Sequence, residues 1–246
     1  MMMWLRSLLF SLGYALLTLV ISVMVMTVFW ALSPRRRFYL YALWCRMVIA
    51  WARVSCGIRF RLEGEVPDTE QTPVVVVANH QSTWETIFLY SLLEPVVPIL
   101  KKELLDIPFW GWALRLQKPI AIDRSKPREA TRSLLSQGRD RLRSGLSVLV
   151  FPEGTRAAPG TIGRFSRSGA QLASSTGASI VPIVHNAGDC WPPGAWVKKP
   201  GLIRVVIGKP LHSEGRTSRD LSEECDTWFE THREKLGLVR QPSGKR

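Results

Sequence analysis

The chain has 246 residues, enough for one substantial α/β domain and a small appendage. Its hydrophobic share of 46% exceeds what a soluble domain needs and falls well short of a polytopic membrane protein, and the excess is gathered at the N-terminus. The net charge of +13 suits an anionic partner, and the 10 tryptophans point to an anionic membrane surface rather than to nucleic acid, because indole rings favour the lipid–water interface.

Residues 7–34 carry no charge, and a helix of that length crosses a hydrocarbon core of roughly 30 Å. The stretch is too long for a signal-peptide core, and Arg35-Arg36-Arg37 follows it instead of a small-residue cleavage site. It therefore reads as a retained membrane helix, with an in-plane or re-entrant helix as the alternative. The arginine triplet places the following chain on the cytoplasmic side of the inner membrane. Residues 38–55 read as a second, amphipathic helix. Arg46 and Arg53 share one face while Leu40, Leu43, Trp44, Met47, Val48 and Trp51 crowd the other, which suits a helix lying in the interface or docked on a domain. Gly57 ends it.

From residue 58 the pattern changes to short strands alternating with helices, as in a mostly parallel sheet flanked by helices. Strands are expected at 58–63, 74–78, 97–100, 120–122, 146–151, 179–184 and 203–207, and helices at 83–93, 127–144, 168–175 and 217–236. The chain thus divides into membrane-associated helices (1–56), an α/β domain (57–240) and a basic tail (241–246). Cys45, Cys56, Cys190 and Cys225 are scattered without C-x-x-C or metal-ligand spacing, so neither a zinc site nor a redox motif is indicated. A reducing compartment fits them.

The chemistry gathers at expected strand ends. The valine run 73–78 leads into Asn79-His80-Gln81-Ser82-Thr83-Trp84-Glu85. Histidine is suited to moving a proton near neutral pH. Residues five apart do not share a helix face, so His80 meets Glu85 only if it lies in the turn before the helix. Ser82 and Glu85 also have the S-x-x-E form of a capping box, with Ser82 as N-cap, so Glu85 either caps a helix or orients His80. A second apolar strand runs into Phe151-Pro152-Glu153-Gly154-Thr155-Arg156. There Gly154 permits close backbone approach, Arg156 offers a fork for phosphate oxygens, and Glu153 can orient an arginine or accept from a substrate hydroxyl. A third strand delivers Asp123-Arg124. Lys101 to Trp112 combines two lysines with aromatic residues that suit a membrane, an acyl channel or a core. His185, ending the 179–184 strand, is expected to have no catalytic role.

Together these segments resemble the lysophosphatidic acid acyltransferase family over residues 57–209. Asn79-His80 with an acid five residues after the histidine is similar to that family's N-H-x4-D block, with Glu85 in place of Asp. Residues 101–111 with Ile122-Asp123-Arg124 are similar to its second block, Phe151 to Arg156 to its third, and Ile180-Val181-Pro182-Ile183 to its fourth. The resemblance implies that His80 is the general base on the acceptor hydroxyl and that Glu85 orients it. It further implies that Arg124, Glu153, Gly154, Thr155 and Arg156 hold the acceptor's phosphate and glycerol. The implied reaction moves an acyl group from acyl-CoA or acyl-acyl-carrier protein to lysophosphatidic acid, with no metal and no bound cofactor. Another lysolipid acceptor, such as a lyso-ornithine lipid, and a non-catalytic lipid-binding protein on the same fold are the alternatives.

Overall fold

The structure, a computed structural model, describes residues 1–28, 31–123 and 125–241. Arg124 and most of the expected basic tail (242–246) lie outside the described residues. The chain runs α1 (Met2–Val28), α2 (Pro34–Cys56), β1 (Ile58–Glu63), β2 (Val75–Ala78), α3 (Trp84–Leu92), β3 (Val96–Lys101), α4 (Trp110–Arg115), β4 (Ile120–Ile122) and α5 (Pro127–Arg143). It continues through β5 (Ser147–Val150), β6 (Thr161–Ile162), α6 (Ser168–Ser174), β7 (Ile180–His185), β8 (Gly201–Ile207), α7 (Ser218–Lys235) and β9 (Val239–Arg240).

Seven strands form one sheet in the order β1-β8-β7-β2-β5-β3-β4, with only the β7–β8 pair antiparallel. The central strands are apolar throughout because both sheet faces are covered. Alternation sorts their side chains: Val76, Ala78, Leu149, Val181 and Ile183 join the core beneath α1–α3, while Val75, Val77, Val148, Val150 and Val184 join the core beneath α5–α7. Pro182 sits in this interior without breaking it. Its carbonyl accepts from Gly208 N–H at 2.8 Å, so its own missing N–H also faces the point where the chain leaves β8.

The second helix docks on the domain through one face. Ala42, Trp44, Cys45, Val48, Ile49 and Ala52 are all buried in the core with Trp84, Phe88 and the sheet. Their apolar face is therefore occupied by protein, and the docked alternative holds. Tyr39, Arg46, Met47, Arg53 and Val54 are among the α2 residues that remain exposed. Helix α1 packs along α2 and reaches α4. Trp51 Nε1 donates to Phe10 O at 3.2 Å, Arg6 Nε to Ser55 O at 2.8 Å, and Lys198 N–H to Ser7 Oγ at 2.9 Å. Its other face exposes Trp4, Leu5, Leu8, Leu12, Leu16 and Leu19. α1 is long and apolar enough to cross a membrane, and its uncovered leucine face suits association with one.

The α1–α2 crossing depends on Gly13, where an added Cβ would fall 2.2 Å from Trp51 Nε1. Gly13→Ala should push the helices apart and destabilise the protein by about 1–3 kcal/mol. Thermal unfolding in detergent measures this, and an unchanged midpoint would show that the contact carries no stability.

Candidate active site

The parallel strands β2, β5, β3 and β4 all end on one edge, where open α/β sheets place their ligands. Asn79 follows β2 and locks its end to that of β7. Its Nδ2 donates to His185 O, its Oδ1 accepts from His185 N–H, and its carbonyl lies 2.8 Å from His185 Nε2. Ala187 N–H donates to His185 Nδ1 at 3.2 Å, so Nε2 carries the imidazole proton. Burial holds the His185 pKa down. This histidine is a structural tie, in keeping with the expectation of no catalytic role.

His80 lies in the turn before α3, and its Nδ1 is 2.8 Å from Glu85 Oε1. The same oxygen accepts Gln81 N–H at 2.9 Å and Ser82 N–H at 2.7 Å. One carboxylate oxygen therefore both closes the helix terminus and holds the histidine. The N-cap is Thr83 rather than Ser82, whose hydroxyl instead accepts Trp84 N–H at 3.0 Å. That one-residue shift is what lets the longer glutamate reach His80. Burial of Glu85 raises its pKa, but His185, His80 and the Ser82 N–H outweigh it and hold the carboxyl below its ordinary value. A carboxylate only accepts, so His80 carries its proton on Nδ1 and presents a bare Nε2. The Phe151 ring stacks on the imidazole with centroids 4.2 Å apart.

The backbone of His80 is held as firmly as its ring. Its carbonyl accepts Ala157 N–H at 2.7 Å, and its N–H donates to Glu153 Oε1 at 3.0 Å. Glu153 Oε2 accepts Gly163 N–H at 3.1 Å. Both oxygens of Glu153 thus engage the protein's own backbone, which differs from a side chain free to orient an arginine or meet a substrate hydroxyl. Burial pushes its pKa up to about 7, against the pull of the two N–H groups. Gly154 has φ +71°, a left-handed turn that glycine adopts without strain, with open space around it. The β6–β9 pair closes the far end of this loop, where Gln81 Nε2 also donates to Thr161 O at 2.6 Å.

A cavity of about 400 Å³ opens at His80 and runs between α1, α2, α3, β3 and α4. His80, Lys101, Thr155 and Arg156 form its polar part, and Tyr41, Trp44, Ile87, Tyr90, Leu100 and Leu114 are among its apolar walls. Arg156 is exposed. The 101–112 stretch turns out to serve two roles: Lys101, Leu104 and Trp110 line the cavity, while Ile107, Phe109 and Trp112 are exposed beside α1. Lys102 pairs with Asp123 at 2.6 Å.

His80, Glu85, Thr155 and Arg156 are thus brought to one place, with Glu153 bonded to the backbone of His80, whereas Gly154 lines a second cavity. The roles of Phe151, Asn79 and Gln81 escaped sequence reasoning. Asn79 stood in the N-H-x4-D block without a role, and Gln81 carried no signal in the sequence.

The Acyltransferase family description matches residues 58–186, more than half of the chain. The 1-acyl-sn-glycerol-3-phosphate acyltransferase of Pseudomonas aeruginosa is 45% identical over 80% of this chain and 78% of its own. The mouse 1-acyl-sn-glycerol-3-phosphate acyltransferase alpha is 31% identical over 74% of this chain and 65% of its own. The crystal structure of the LPA acyltransferase PlsC from Thermotoga maritima superposes with a TM-score of 0.68 at 22% identity, covering 92% of this chain and 97% of that one, and supports the fold. With the family model covering six of the sheet's seven strands and a relative this similar over most of its length, the chain belongs to the lysophosphatidic acid acyltransferase family.

Proposed function

We propose that the protein acylates the free glycerol hydroxyl of lysophosphatidic acid, drawing the acyl group from acyl-CoA or an acyl-carrier protein. The observation that carries this reading is the bare Nε2 of a carboxylate-held histidine at the polar end of an apolar cavity. In this reading the acyl chain occupies the apolar cavity and its thioester carbon lies beside His80. His80 Nε2 takes the hydroxyl proton as that oxygen attacks the thioester carbon, while Glu85 stabilises the imidazolium. The carbon–sulfur bond then breaks and the thiolate leaves with the proton from His80. Arg156, exposed at the cavity and without an ion-pair partner among the described residues, binds the acceptor's phosphate. Arg124 is assigned the same task. The leucine face of α1 rests in the membrane with Phe109 and Trp112, and the α/β domain lies on the cytoplasmic side of the inner membrane.

Purified protein in detergent, given a panel of lysolipids and both donor types, tests the reading. Phosphatidic acid should be the main product, and His80→Ala should abolish it. Preference for another lysolipid would reassign the acceptor, and transfer that survives His80→Ala would remove the mechanism. For the phosphate contact, Arg156→Ala should raise the acceptor KM roughly 10- to 100-fold, with partial recovery in Arg156→Lys because an ammonium lacks the planar fork. An unchanged acceptor KM in the alanine variant would take Arg156 out of the site.

A further inference from the structure

Helix α5 carries Arg128, Arg132, Arg139 and Arg143, which fall within an arc of roughly 60° on one face. All four are exposed, and none has an ion-pair partner among the described residues. Arg139 Nε reaches only the Ser175 hydroxyl, at 3.2 Å. Glu129 is engaged by Lys126 at 3.4 Å, and Asp140 is the one other acid of the helix. A shallow depression lined by Leu135, Ser136 and Asp140 opens between Arg132, Arg139 and Arg143, so three arginines face one acid there.

This stripe is poorly placed for a membrane. α5 covers the sheet face opposite α1 and α2, so the basic stripe and the exposed leucine face stand on opposite sides of the domain. A second cavity, of about 360 Å³, begins beside the N-terminal half of α5 at Ala130, Thr131 and Leu134. Arg167, Ser166 and Ser168 supply its polar wall, Ile122 and Val150 its apolar floor. It shares Ile99 and Phe151 with the cavity that holds His80, and the Phe151 ring is stacked on the imidazole.

We infer that the α5 stripe docks a small acidic carrier protein, which threads its thioester-bearing arm along the second cavity to His80. The inference rests on the acyl-transfer reading proposed above and decides how one class of donor is received. An acidic helix matches the four arginines, Leu135 offers an apolar contact between them, and Arg167 meets the arm's phosphate. The donor arrives from the aqueous side and the lysolipid from the α1 side, so the two substrates do not compete for one entrance.

The test compares wild type with the triple variant Arg132→Glu, Arg139→Glu, Arg143→Glu, none of which lies in the catalytic machinery. Each is assayed with the same acyl chain on a carrier protein and on CoA, and flotation on vesicles of anionic phospholipid is run beside it. The expected result is a carrier-donor KM raised at least tenfold at low salt, a CoA-donor KM changed less than twofold, and unchanged flotation. Isothermal titration with the unacylated carrier protein should show the same loss of affinity, which separates docking from turnover. Equal changes with both donors, no change with the carrier, or lost flotation would each overturn the inference. A wild type that uses acyl-CoA alone would overturn it too while leaving the acyl-transfer reading intact. A wild type that uses neither donor would remove both.

Discussion

Glu85→Gln should cost roughly two to four orders of magnitude in kcat while the protein stays folded. A glutamine oxygen can still accept the N–H groups of Gln81 and Ser82 and the proton on His80 Nδ1, so the turn before α3 survives. The negative charge is lost, and with it the stabilisation of the imidazolium that forms as the acceptor is deprotonated; in serine proteases the matching acid-to-amide change costs about 10⁴. Glu85 Oε2 is buried without a partner, so the new amide N–H₂ finds no acceptor there and the melting temperature should drop by roughly 3–8 °C. Glu85→Asp should retain more activity than the amide, although its shorter side chain must reach the same three donors. Melting temperature and kcat from one preparation decide the matter. A glutamine variant as active as wild type would make Glu85 a helix-capping residue only.

The second large effect is expected at Glu153, a positioning residue that touches the backbone of His80 and not its imidazole. Glu153→Gln offers one oxygen where two N–H groups need acceptors, so either His80 or Gly163 is left facing an amide donor. A small displacement of the base should lower kcat roughly 10- to 100-fold with little change in acceptor KM. The pH profile separates this from a general loss of structure. With its pKa raised to about 7, Glu153 is protonated as pH falls through neutrality, and its grip on His80 weakens. The wild-type acid limb should therefore be steeper than that of the glutamine variant, which lacks this carboxyl. Stability follows the opposite sign. A carboxyl whose folded pKa lies above its ordinary 4.5 binds more protons folded than unfolded, so this group contributes most below about pH 5 and loses that contribution as pH rises through 7. The melting temperature of wild type relative to the variant should rise as pH is lowered from about 8 to about 5. Parallel acid limbs in the two proteins would show that Glu153 does not act through His80.

Much of the sheet was legible because its signal is local. The valine run of β2 and the apolar run of β5 admit no other reading, and β1 and β4 begin and end where their patterns do. What escaped depends on partners distant in sequence. Thr161–Ile162 and Val239–Arg240 are too short to announce themselves, and each is a strand only because the other lies beside it. The docking of α2 was legible only as an alternative for a related reason: an apolar helix face looks the same whether a bilayer or Trp84 and Phe88 will cover it. At the site, His80 and Glu85 were visible because a five-residue offset across a turn is a local matter. The second duty of Glu153 was hidden because its partners, His80 and Gly163, come from two other segments.

The shared oxygen of Glu85 bears on how a lineage built on this fold could change. A descendant that gave up acyl transfer but went on binding lipids would be free to replace His80, which holds nothing else through its imidazole. It would not be equally free at Glu85, where selection for a folded α3 would persist after selection for turnover had ended. Among relatives, an intact acid beside a lost histidine would then mark retirement from catalysis, whereas the reverse pair would be rare.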